Sequence, residues 1–155
     1  MQIVQQARQE DLDRVAEAYR QSRTSVELAP FFTDLPERIA QSHLVIGRSG
    51  ASTIAELTVI GRPSILIPLP GALDADQKNN ALVVEAGGGG WVMEQAALSP
   101  QSLATRLQAL FTDPTSLSKA AKAAQALGQP RAVEKLADLA ESLAGQGTNT
   151  LESAS

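Results

Sequence analysis

Cysteine is absent from the 155 residues, which excludes disulfides and thiolate metal sites. Histidine occurs once, as His43 just before an apolar run, and with no partner in view it reads as structural rather than catalytic. No apolar stretch approaches the roughly 20 residues of a bilayer-spanning helix, and the N-terminus has no signal-peptide pattern. Basic charge is not in excess: the formal net charge is −4 at pH 7, which argues against a nucleic-acid partner and against adhesion to anionic lipid. A cytoplasmic, soluble chain is expected, with association at a membrane surface left open. The length is that of one domain with a substantial core, here expected over residues 1–144. The polar segment 145–155 is expected to be disordered.

What is present is organised around Leu44–Pro70. Leu44–Ile46 and Ile65–Ile67 are short apolar runs of the kind that a parallel sheet buries on both faces. Between them a helix ends near Gly61, and Pro63 prevents its continuation. Gly47 and Gly50 are expected to take backbone angles closed to other residues, and Ser49, Ser52 and Thr53 to cap the helix. The unit is βαβ, so the fold class is α/β, and its turn lies at the carboxyl end of a strand, where open α/β sheets bind ligands. Free N–H groups and the helix dipole at Gly50–Thr53 suit an anion, most naturally a phosphate. Glu56 lies at i+3 from Thr53 on the same face. A carboxylate that close to a phosphate is repelled by it, so Glu56 is suited to neutral hydroxyls such as those of a ribose. A capped helix carrying a solvated glutamate accounts for the same spacing, and a glycine-containing turn alone is a weak signal. Arg48, in the same turn, could face a phosphate or pair with a carboxylate.

Around this unit the chain reads as alternating strands and helices. Gln2–Gln6 is a strand with no element before it, Glu10–Gln21 an amphipathic helix, Ser25–Leu28 a strand, and Glu37–Gln41 a short helix. The intervening loop contains Phe31 and Phe32, a candidate wall for a flat ring or a plug for the core. After Pro70 a polar loop enters a helix ending near Ala86, with Asp76, Gln77 and Asn80 in its first turn and Asp76 and Asn80 at i, i+4. A carboxylate and carboxamides so grouped suit the hydroxyls of a sugar. Asp74 and Asp76 also invite a metal reading, but two carboxylates are a thin ligand set and aspartates at a helix start are ordinary. Gly87–Gly90 reads as punctuation before a strand, Gly90–Glu94. Three helices follow: Ser99–Phe111 with proline in the first turn, Pro114–Leu127 and Ala132–Leu143.

The segment from Phe31 to Ala81 resembles the donor-nucleotide half of GT-B glycosyltransferases, and in detail the MurG-type N-acetylglucosaminyltransferases of peptidoglycan synthesis. The residues that carry it are Gly47-Arg48-Ser49-Gly50-Ala51-Ser52-Thr53-Ile54-Ala55-Glu56, Gly61-Arg62-Pro63 and Asp76-Gln77-Lys78-Asn79-Asn80-Ala81; the likeness runs from about Ile3 to Leu143. It implies a Rossmann-like parallel sheet flanked by helices, lacking its first strand. It also implies a UDP-GlcNAc donor and an undecaprenyl-pyrophosphoryl-muramoyl-pentapeptide acceptor, with no metal and no cofactor. Of the site residues it implies, the backbone of Phe32 takes the uracil edge, with Phe31 beside the ring. Ala51, Ser52 and Thr53 present the helix start to the diphosphate, Glu56 takes the ribose hydroxyls, Gln77 and Asn80 read the GlcNAc hydroxyls, and Asp76, where many relatives carry histidine or glutamine, is a further substrate-binding residue. The acceptor-binding domain of such enzymes, which supplies the candidate base, has no counterpart here, so no catalytic residue is expected in this chain. The chain is then expected to be inactive alone, as the donor part of an enzyme held peripherally at the cytoplasmic face of the bacterial inner membrane. Two alternatives are a half-transferase whose acceptor domain is a separate polypeptide, and a non-catalytic UDP-sugar-binding module.

Overall fold

The computed structural model describes residues 1–22, 24–71, 75–132 and 134–142. The chain divides into two compact units, Met1–Arg38 and Ile39–Ser155. In the first, strand β1 (Ile3–Gln6) leads through a single 3-10 turn to helix α1 (Leu12–Ser22) and strand β2 (Val26–Ala29). β1 and β2 pair in parallel with Ile3 opposite Val26. Tyr19 on α1 donates its hydroxyl to Gln5 Oε1 at 2.6 Å, tying the crossover helix to the strand before it. Helix α2 (Leu35–Gln41) carries the chain from the first unit into the second.

The second unit is a parallel three-stranded sheet in the order β3-β4-β5, with β3 at Val45–Gly47, β4 at Ser64–Leu66 and β5 at Gly90–Val92. Its helices are α3 (Ala51–Ile60), α4 (Asp76–Ala86), α5 (Pro100–Thr112) and α6 (Pro114–Leu127), and residues 134–142 are helical as well. The expected parallel sheet is thus present as two ladders, one in each unit, and no pairing joins them among the described residues.

β4 is central and wholly buried. Its side chains alternate between faces, as strand geometry requires, so consecutive residues enter different cores. Leu66 packs with Ile39, Leu57, Ala81 and Val84, and Ile65 packs with Met93 and Leu110. This explains why a continuous apolar run, rather than an alternating one, marks the strand. α3 ends at Gly61, whose φ of 76° is left-handed and whose N–H reaches the carbonyls of Leu57 and Thr58. Gly87–Gly90 ends α4 as foreseen, and close packing adds a second reason for glycine: a Cβ on Gly90 would lie 2.5 Å from the Ser64 carbonyl oxygen. α5 starts with a capping box between Ser99 and Ser102 and proline at its first turn, an arrangement that satisfies two otherwise orphan donors. Element ends differ from the sequence reading by a residue or two, as hydrogen-bonded boundaries commonly do. Asp74 and the tail 145–155 lie outside the described residues.

Candidate functional site

The carboxyl ends of β3 and β4 and the starts of α3 and α4 meet through three side-chain hydrogen bonds. Ser49, fully buried, donates its hydroxyl to the Gln77 carbonyl at 2.6 Å. The Asn80 carboxamide donates to the Ser49 carbonyl at 3.1 Å, and the Leu69 N–H donates to Gln77 Oε1 at 3.0 Å. The turn before α3, the exit of β4 and the first turn of α4 are therefore one hydrogen-bonded assembly. Gln77 and Asn80 each use only part of their carboxamide in it. Gln77 Nε2 and Asn80 Oδ1 have no protein partner among the described residues, and a carboxamide has both kinds of polar atom to offer.

The start of α3 corrects two expectations. Ser49, Ser52 and Thr53 do not cap the helix: the N-cap is Gly50, with no side-chain bond. Ser49 instead points inward to Gln77. Nor do Gly47 and Gly50 hold unusual backbone angles; Gly50 has φ −63° and ψ 153°, and neither glycine is among those with positive φ. What both supply is room, since a Cβ added at either would meet nothing within 4 Å. The first helical amide bond is from Ile54 N to Gly50 O at 3.0 Å. The N–H groups of Ala51, Ser52 and Thr53 accordingly have no protein acceptor among the described residues, and they stand at the positive end of the helix beside open space.

Arg48 pairs with no carboxylate among the described residues. It donates to the carbonyls of Ile67 at 3.0 Å and Pro68 at 3.2 Å and to Gln95 Oε1 at 2.8 Å. It is a strut that joins the exit of β4 to the segment after β5. Glu56 is half-buried on α3 and forms no hydrogen bond or ion pair among the described residues. Asp76 is exposed at the start of α4, and the residue before it, Ala75, has φ 51°. That left-handed geometry costs a residue with a Cβ about 1–2 kcal/mol. Neighbouring Lys78 pairs with Glu94 at 2.8 Å. Among the described residues no cluster of three or more His, Asp or Glu could hold a metal ion. A cleft of about 260 Å³ is lined by Ala51, Ile54, Thr58, Asn80 and Leu127, among others. Ser52, Thr53, Glu56, Asp76 and Gln77 are not among its lining residues; Ser52 and Asp76 are exposed, and Thr53, Glu56 and Gln77 are half-buried.

In the first unit, the two adjacent phenylalanines have different environments. Phe32 is buried and Phe31 is 68% exposed. The Arg38 guanidinium lies 4.3 Å from the centroid of the Phe32 ring. It also pairs with Glu27 at 2.8 Å and Asp34 at 2.7 Å. The bond from Arg38 holds the Asp34 carboxyl below its ordinary value, and the bonds to Glu27 and then Asp34 raise Arg38 further above its own.

This parallel α/β fold is shared with glycosyltransferases of known structure. A crystal structure of Acinetobacter baumannii MurG superposes with a TM-score of 0.82 at 26% identity, covering 89% of this chain and 42% of that one. The glycosyltransferase VinC, solved in complex with dTDP, superposes at 0.58 with 17% identity, a likeness of fold alone. The chain belongs to the glycosyltransferase family 28 C-terminal domain, whose model matches residues 1–143. A relative from Rhodospirillum centenum, named UDP-N-acetylglucosamine–N-acetylmuramyl-(pentapeptide) pyrophosphoryl-undecaprenol N-acetylglucosamine transferase, is 54% identical over 145 residues. One of the same name from Brucella suis is 51% identical over 146 residues. In both cases the match covers 94% of this chain and 38% of the relative.

Proposed function

We propose that this chain is the donor-binding part of an inverting glycosyltransferase. The transferase moves GlcNAc from UDP-GlcNAc to the C4 hydroxyl of undecaprenyl-pyrophosphoryl-MurNAc-pentapeptide, the step from lipid I to lipid II of peptidoglycan synthesis. The observation that carries this reading is the uncapped start of α3, where the amides of Ala51, Ser52 and Thr53 adjoin the open space over Gly47 and Gly50. The names of relatives that are 51–54% identical supply the substrates.

The chemistry follows from charge. As the sugar–phosphate bond breaks, negative charge develops on the departing UDP. Amide dipoles already aimed at the diphosphate stabilise that charge more in the transition state than in the ground state. The α3 N–H groups fill this role without a metal. Glu56, one turn along the same face, accepts hydrogen bonds from the ribose hydroxyls. Gln77 Nε2, Asn80 Oδ1 and the Asp76 carboxylate face the GlcNAc hydroxyls; the Leu69 N–H holds the Gln77 carboxamide in position and the Ser49 carbonyl that of Asn80. The backbone of Phe32 takes the uracil edge and exposed Phe31 flanks the ring. No residue of this chain takes the acceptor's proton. That base, and the site for the lipid-linked acceptor, belong to the part of the transferase that this chain does not match in its relatives. By this reading the chain binds donor and does not turn it over alone. No helix among the described residues is long and apolar enough to cross a membrane; the complete transferase works as a peripheral protein at the cytoplasmic face of the inner membrane.

Calorimetric titration with UDP-GlcNAc, with UDP-glucose as control, tests the proposal. Hydrogen bonds to a charged acceptor contribute about 1.5–3 kcal/mol, so Glu56→Ala should weaken UDP-GlcNAc binding by about 10- to 100-fold. A folded chain that binds no UDP-sugar, or a Glu56→Ala variant with unaltered affinity, would refute it.

A further inference from the structure

We propose that Arg38 is a positioning residue for nucleobase recognition. It locks the loop between β2 and α2 so that the backbone of Phe32 can discriminate uracil from other bases. This inference rests on the donor-site reading above. It concerns a residue outside the motifs that point to that reading.

Arg38 lies in the last turn of α2 with its side chain only 25% exposed. Its three contacts bracket the loop. Glu27, on β2 before the loop, accepts from Nη1 at 2.8 Å, and Asp34, at the far end of the loop, accepts from Nε at 2.7 Å. The face of the guanidinium covers the Phe32 ring at 4.3 Å. A planar fork can engage two carboxylates and stack on an aromatic ring at once, which an ammonium group cannot. With the ring held down, Phe32 is 7% exposed while its neighbour Phe31 is 68% exposed. An anchored aromatic beside a presented one gives the loop a fixed orientation.

The backbone of Phe32 is the second observation. Neither its N–H nor its C=O takes part in a backbone hydrogen bond among the described residues, and no side chain there bonds to them. An adjacent donor and acceptor on a rigid loop match the acceptor and donor on the edge of uracil. Cytosine presents a different pattern on that edge. Discrimination by such groups depends on their being held in register before the ligand arrives. Three contacts from one side chain provide that register.

The test is a set of titrations on the whole chain with UDP, CDP and inorganic pyrophosphate. Arg38→Met should lower the preference for UDP over CDP by about tenfold and leave pyrophosphate affinity unchanged. Arg38→Lys, which restores charge but not the fork, should recover only part of the preference. Loss of folded protein alone would change stoichiometry and leave the UDP-to-CDP ratio as it was. If circular dichroism finds Arg38→Met unfolded, Glu27→Gln and Asp34→Asn carry the test, each removing one leg of the fork and each expected to lower the ratio. Selective UDP binding by the unaltered chain with a ratio unmoved in the folded variants overturns the role of Arg38 and spares the donor site. Equal binding of UDP and CDP by the unaltered chain also overturns that role alone. Failure of the unaltered chain to bind UDP overturns both.

Discussion

Ser49 and Ser64 are both fully buried, and they differ in whether the hydroxyl has a partner. Ser49 donates to the Gln77 carbonyl at 2.6 Å. Ser64 Oγ has no hydrogen-bond partner among the described residues and is enclosed against Gly90, where even a Cβ would come within 2.8 Å of it. The same substitution should therefore change stability in opposite directions. Ser49→Ala removes a hydrogen bond with a net contribution of about 0.5–1.5 kcal/mol. Ser64→Ala removes an unsatisfied buried hydroxyl, whose burial costs about 1–3 kcal/mol on mutational scales, less the packing of one atom, for an expected gain of about 1 kcal/mol. The two variants should differ by about 2 kcal/mol. With a urea slope of about 1–3 kcal/mol per M, their unfolding midpoints should stand about 1 M apart. Because the chemical change is identical, most unfolded-state effects cancel in this difference. The assay is urea unfolding of the parent and both variants followed by circular dichroism. Coincident midpoints, or a Ser64→Ala midpoint below that of the parent, would refute the reasoning.

Two further outcomes follow from the local geometry. Gly50→Val places a side chain in open space at an ordinary φ, so thermal unfolding should show a loss below about 1 kcal/mol. The same side chain stands over the α3 amides, and titration should find UDP affinity at least about tenfold lower; retained affinity would remove the diphosphate from that helix start. Acid unfolding should expose the cap of α6, where Asp113 accepts from the Thr115 hydroxyl at 2.5 Å and the Thr115 N–H at 3.1 Å. The bond from the Thr115 side chain is the largest cause holding this carboxyl below its ordinary 3.8. A carboxyl lowered on folding contributes stability that is fully present above 3.8 and is lost as pH falls through the lowered folded value. Melting temperature against pH should thus be flatter in Asp113→Asn than in the parent below 3.8, and equal slopes would exclude the cap as a contributor.

Several features were legible in the sequence because they are local. Short apolar runs such as Ile65–Ile67 mark a strand covered on both faces, and the structure buries β4 entirely. Gly61 and Pro63 stop a helix whatever surrounds it, and Gly61 does take the left-handed cap. Ala51–Thr53 and Asp76–Asn80 fall at the starts of α3 and α4, with Glu56 one turn further along α3, as the spacing indicated.

The roles of single side chains were not legible, because each is decided by what lies opposite in space. Ser49 has the composition of a cap, but the parallel arrangement of β3 and β4 brings the Gln77 carbonyl within reach of its hydroxyl, 28 residues along the chain. Arg48 could have paired with a neighbouring carboxylate, yet the end of β4 offers it two carbonyls and the segment after β5 a carboxamide. Arg38 sits outside every motif. Its i, i+4 relation to Asp34 was visible, but Glu27 and the face of Phe32 join it only when β2 and α2 have formed. Backbone periodicity and glycine placement are properties of neighbours in sequence, so the chain alone determined its elements and its family. Hydrogen-bond partners are properties of neighbours in space, and those only the tertiary structure decided.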